Sequence, residues 1–69
     1  MKRTILGKEY DYPPNGSVFT HVKTGGKYVV LFPVIIEADA VPAVAYSALG
    51  GSSDIWVRPL DEFMDGRFE

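Results

Sequence analysis

Between Lys27 and Ile36 the chain alternates into two sets of side chains, and both are apolar. Tyr28, Val30, Phe32, Val34 and Ile36 form one; Val29, Leu31, Pro33 and Ile35 form the other. A strand of this kind needs cover on two faces. The whole protein is 69 residues and 7.6 kDa, a size that buries only about 60% of its unfolded surface and supports one small core. Two solutions remain: the strand bends across a barrel so that different halves face inward, or another chain covers the second face. Pro33 cannot donate a ladder hydrogen bond, which fits a bend, bulge or edge at that point.

The neighbouring segments read as strands and tight turns. Val18, Phe19, Thr20 and Val22 suggest a strand over 17–23, and Thr24-Gly25-Gly26 supplies the turn into the strand at 27–36. Residues 37–41 read as a loop. Pro42 to Leu49 reads as a third strand despite three weakly strand-forming alanines, and Gly50 to Ser53 closes a second hairpin into a fourth strand, Asp54 to Arg58. Pro59 stops that strand. Leu60 to Met64 has room for one helical turn, and Asp65-Gly66 turns the chain into a last strand at Arg67-Phe68-Glu69. Residues 1–16, ending in Tyr-Pro-Pro-Asn-Gly, read as an arm over the core with Tyr10 and Tyr12 as anchors. The predicted class is all-β: an N-terminal arm (1–16) and a single domain (17–69), a small SH3-like, partly open barrel with one short helical turn before its last strand.

Composition narrows the function. With no cysteine and His21 as the single histidine, thiolate and His-rich metal sites are out of reach, as are most catalytic constellations. A net charge of −2 lacks the basic footprint of a nucleic-acid binder. The charge is uneven, +3 over the first eight residues and −3 over residues 54–69. The longest apolar run has nine residues with a proline inside, too short to span a membrane, and Lys8, Glu9 and Asp11 interrupt any signal-like start. A cytoplasmic protein with no membrane partner is expected.

The candidate binding residues are His21, Lys23, Tyr28, Tyr46, Trp56 and Arg58, because aromatic planes beside a cation and a titratable ring can hold a base, a phosphate or an acidic peptide. Each has a plainer reading. Trp56 is expected first as a core residue, His21 as a structural hydrogen-bonding residue, and Arg58 as the internal partner of Asp61 or Glu62. The carboxylates Asp61, Glu62 and Asp65 read as cap and surface rather than a metal site. Thr24-Gly25-Gly26-Lys27 ends like a phosphate loop but lacks its first glycine, its Ser or Thr and its helix, and Ser52-Ser53-Asp54 lacks a nucleophile elbow. Neither motif supports an enzyme, and no cofactor is expected.

Further residues carry a resemblance: Phe19-x-His21-x-Lys23, Gly26-x-Tyr28-x-Val30, Val44-x-Tyr46 and, most specific, Trp56-Val57-Arg58-Pro59-Leu60-x-x-Phe63. They are similar to the small bacterial and phage domain of unknown function number 1653, and the tail from Asp61 to Phe68 resembles its phage-encoded branch. The resemblance spans Ser17 to Glu69 and implies a compact β domain without implying an activity. The expected function is therefore a non-catalytic, phage-like binding protein that blocks or sequesters a host component such as a defence protein. Its partner or oligomer face would be Val29, Leu31 and Ile35. A nucleotide-sequestering module with an aromatic and arginine face is the alternative, and a housekeeping interaction domain is a third.

Overall fold

The computed structural model describes residues 1–51 and 53–69. Leu6 and Gly7 both adopt positive φ, 52° and 79°, as a two-residue turn compatible with strand twist requires. That turn joins β1 (Lys2–Ile5) to β2 (Lys8–Asp11) in an antiparallel hairpin with Ile5 opposite Lys8. The N-terminal arm takes the form of this hairpin. Its inward residues Ile5 and Tyr10 pack against the core, and Tyr12 just beyond it is buried within.

The main sheet has four antiparallel strands in sequence order: β3 (Val18–Thr20), β4 (Lys27–Ile36), β5 (Val41–Ala48) and β6 (Trp56–Pro59). The tight turn at Thr24–Gly26 is present, with Gly25 at φ 76° and its N–H bonded to the His21 carbonyl at 2.7 Å. β4 occupies its expected span from Lys27 to Ile36, and a 3₁₀ turn at Glu37–Asp39 carries the chain to β5. The last turn of the second hairpin includes Ser52, which lies outside the described residues. Below it β6 begins two residues later than the sequence suggests, at Trp56.

The doubly apolar strand is resolved by a bulge. Val30 pairs with Tyr46 and Phe32 with Ala45, so Leu31 is an extra residue without a cross-strand partner. An insertion of one residue reverses the alternation beyond it. Tyr28, Val30, Pro33 and Ile35 consequently share the inner face with Tyr46 and Val44, whereas Val29, Phe32 and Val34 look outward. The set Val29, Leu31, Ile35 is therefore not one face: Val29 is outward, Leu31 is the bulge, and Ile35 has crossed to the inner side, where it stays exposed beyond the core.

The inner face is sealed by the end of the chain. Pro59 leads directly into α1 (Leu60–Phe63), where the Asp61 carboxylate accepts the Glu62 N–H at 2.9 Å, and the chain then turns back along β3. Residues 67–69 lie beside Thr20–Val22: Thr20 N–H to Glu69 O at 2.7 Å, Glu69 N–H to Thr20 O at 2.9 Å, and Val22 N–H to Arg67 O at 2.8 Å. The expected last strand is thus reduced to a single bridge between His21 and Phe68. Tyr12, Val30, Val44, Tyr46, Leu60, Phe63 and Phe68 make the core. The class is all-β, two antiparallel sheets with a short helical turn near the end and no closed barrel.

Phe63 is fully buried and touches Phe19, Tyr46 and Phe68 rings at 5.2, 5.3 and 4.4 Å. Replacing it with alanine should cost about 3–5 kcal/mol, as much as a core this size supplies. Phe63→Ala is therefore expected to be unfolded by circular dichroism at room temperature. Tyr12 behaves differently. Burial raises its hydroxyl pKa above the ordinary 10.0, offset in part by the Ala43 backbone, from which it gains no well-formed hydrogen bond. A raised folded pKa means the folded state holds the proton longer, so stability is lost as pH climbs past about 10. Urea titrations should show that loss in the parent chain, and Tyr12→Phe should remove it while matching or exceeding parent stability at pH 7 by about 1 kcal/mol.

Candidate functional site

At the border of the core, β6 brings two side chains to the inner face. Trp56 pairs with Tyr46 and Arg58 with Val44, which fixes both on the side of the sheet that carries the aromatic cluster. Tyr28 meets Tyr46 edge-on at 5.5 Å and Phe68 at 5.8 Å, and His21 meets Phe68 edge-on at 5.0 Å. Five of the six predicted residues, His21, Tyr28, Tyr46, Trp56 and Arg58, thereby line one cleft of about 210 Å³, with Thr24 and Phe68 completing it. Lys23 is not among them. It lines an adjoining open groove of about 700 Å³ with Val22, Asp65, Gly66 and Arg67, and His21 and Arg58 form the shared wall between the two.

Trp56 overturns its expected place in the core. It is 51% exposed, because β6 is an edge strand and α1 and Phe68 cover the inner face only as far as Tyr46 and Arg58. The Arg58 expectation holds in part: its Nη1 lies 3.7 Å from the Glu62 carboxylate one helical turn on, and its Nε donates to the Tyr46 hydroxyl at 3.4 Å. That hydrogen bond holds the guanidinium pKa above its ordinary value, so Arg58 is a fixed cation. Its carbon lies 5.7 Å from the Phe68 ring centroid, within cation–π range. Both long contacts leave the planar fork with donors to spare.

His21 is oriented by the hairpin turn. The Thr24 backbone N–H donates to its Nδ1 at 3.3 Å, and Thr24 Oγ1 is 3.1 Å away. In the neutral ring an accepting Nδ1 leaves the proton on Nε2. Lys27 is tied to Thr20 Oγ1 at 3.2 Å on the far side of the hairpin. In the larger groove Arg67 is paired with Asp65 at 3.0 Å and with Glu62 at 3.5 Å. The cleft therefore offers aromatic planes, one cation, a ring nitrogen and, 3.1 Å from that ring, the Thr24 hydroxyl. Among the described residues, no three His, Cys, Asp or Glu side chains gather as a metal set, and no helix is long and apolar enough to cross a membrane.

Phe68, Thr24 and the Asp65–Arg67 wall were not legible as site residues. Phe68 reaches the cleft only because the chain returns along β3, and nothing in the residue types at 65–69 beyond the Asp-Gly turn announces that return.

The family model described as Protein of unknown function (DUF1653) matches residues 17–67, which include β3 to β6, α1 and every residue of the cleft except Phe68. The chain belongs to this family. No curated protein and no solved structure matches. The match ends just short of Phe68 and excludes the hairpin β1–β2, so the family region coincides with the main sheet and the helical turn.

Because half of Trp56 is already in solvent, Trp56→Ala is expected to lower stability by only about 1 kcal/mol, against about 3–5 kcal/mol for a buried aromatic. Parallel urea denaturation of the two forms measures the difference.

Proposed function

We propose that the protein is a non-catalytic binding protein that holds a small planar anion of the nucleotide class in the cleft between Trp56 and the Phe68 edge. The observation that supports this reading is the convergence of Tyr28, Tyr46, Trp56, Arg58 and His21 on one opening. A base stacked on the free face of Trp56 would gain about 1–3 kcal/mol. The Arg58 fork then meets a phosphate or carboxylate in two parallel hydrogen bonds, and the His21 Nε2–H adds a third donor. A cleft of about 210 Å³ lies below the usual range for a drug-sized ligand, so the ligand's remainder runs into the adjoining groove, where Lys23 supplies a second cation. No chemistry is performed on the ligand: it is withheld. The phage-type tail resemblance extends this to a protein that removes a host signal, in the cytoplasm of the host.

A host protein as partner is the second reading. It is supported by the outward side chains of Phe32 and Val57, 47% and 50% exposed on either side of the buried Ala45.

Calorimetric titration with mono- and cyclic nucleotides separates them. Arg58→Ala is expected to weaken nucleotide binding by about 10–100-fold, the value of a charge-assisted hydrogen bond, and Trp56→Ala by a similar factor, both in folded protein. Absence of heat with every nucleotide, alongside capture of a protein that Phe32→Lys abolishes, would replace the first reading with the second.

A further inference from the structure

The sheet has two edges, and the chain treats them differently. β3 is covered by the chain's own residues 67–69, through the hydrogen bonds of Thr20 and Val22 to Glu69 and Arg67. Among the described residues, β6 has a strand neighbour on one side only. Ile55 just before the strand, and Trp56 and Val57 on its two faces, are exposed by 59%, 51% and 50%. Scattered exposed apolar residues are ordinary, but three in succession at an unpaired edge form a template for another strand. Proteins that keep such an edge free place a lysine, a bulge or an inward charge on it. Positions 55–57 have none, but the strand ends on the inward charge of Arg58 and on Pro59, so a partner strand must meet Arg58 with a group that accepts a cation.

We propose that β6 pairs with β6 of a second copy, antiparallel about a two-fold axis at Val57, so that Trp56 of each copy lies against Arg58 of the other. The register follows from symmetry. A two-fold axis perpendicular to a sheet keeps each residue on its own face, so only residues of the same face can stand opposite one another. With Val57 opposite itself, Trp56 faces Arg58 of the second copy, and both belong to the inner face because they pair with Tyr46 and Val44. Adjacent strands are about 4.8 Å apart, a spacing at which a guanidinium covers an indole ring. Moving the axis to Arg58 would set two guanidinium groups against each other. Moving it to Trp56 would need pairing partners at 54 and 55, before β6 begins.

The pairing has consequences on both faces. On the outer face the two Val57 side chains meet, and the row Phe32–Ala45–Val57 continues into its copy across an eight-stranded sheet. On the inner face the two clefts open side by side, each walled by a residue of the other copy. The dimer draws on Trp56 and Arg58, the groups that the proposed ligand would also use, so pairing and ligand compete for the inner face.

Sedimentation velocity across a concentration series tests it, with Val57→Lys and Phe32→Lys as variants. The parent is expected to dimerise with rising concentration. Val57→Lys, which places two like charges on the axis, is expected to raise the dissociation constant about tenfold or more, whereas Phe32→Lys, on the outer face two strands away, leaves it unchanged. The protein has no cysteine, so a Val57→Cys chain carries one thiol, and a short bis-maleimide should link it into dimers while Val22→Cys, exposed elsewhere, stays single. A parent that remains monomeric to about 1 mM, or dimers lost in Phe32→Lys and kept in Val57→Lys, or equal linking of both thiols, overturns the proposal. Nucleotide titration of Val57→Lys keeps the two readings apart: a monomer that still binds ligand leaves the cleft standing alone.

Discussion

The stacked contact between Phe63 and Phe68, 4.4 Å between ring centres and 12° between planes, is the interaction on which the rest depends. A four-stranded sheet with one apolar inner face cannot stand alone in water, and a chain of 69 residues has few atoms with which to cover it. Five residues after Phe63, the chain delivers a second aromatic ring to the same place. Phe63 reaches Phe19 and Tyr46, and Phe68 reaches His21, Tyr28 and Tyr46. The edge-to-face pairs each add about 0.5–1.5 kcal/mol beyond simple burial, which matters in a domain whose total stability is a few kcal/mol. Backbone bonds from residues 67–69 to β3 complete the closure.

The same economy makes the site. Because the covering segment is short, it seals the inner face over Val44 and Tyr46 and stops before Trp56. The rim of the core is therefore also the wall of a cleft: Tyr46 packs its ring inward and accepts a hydrogen bond from Arg58 with its hydroxyl, and Phe68 stacks on Phe63 while meeting His21 and Tyr28 nearly at right angles. Function and stability share residues here, so substitutions of Tyr46 or Phe68 act on both, while Trp56 and Arg58 touch mainly the site. Residues 67–69 lie along β3, and β6 stays at the other edge of the sheet.

Much of this was legible in the residues. β4 was readable to both ends because a glycine pair precedes it and its apolar run is unbroken, and Pro59 marked the start of α1. The bulge was not, because Leu31 looks like any strand residue; its signature was indirect, a strand apolar on both sides with Pro33 just beyond. The first hairpin is hard to read from residue types since leucine, unlike asparagine or glycine, does not announce a positive φ, and the charges at Lys2, Arg3, Lys8 and Glu9 mask its alternation. Of the site, the set of aromatic and cationic residues could be chosen by chemistry alone. That five of them meet depends on strand register and on the return of residues 67–69, both of which are tertiary facts. The exposure of Trp56 depends on which strand lies at the edge, and residue type carries no record of that.

The most direct measurement of the central claim, that the C-terminal aromatic pair closes the core and leaves Trp56 outside it, is the fluorescence of the protein's single tryptophan in dilute, monomeric solution. The account predicts a native emission already shifted toward that of tryptophan in water, readily quenched by acrylamide and little altered on unfolding in urea. A blue-shifted emission protected from acrylamide and released only on unfolding would put Trp56 inside the core and contradict both the closure and the cleft.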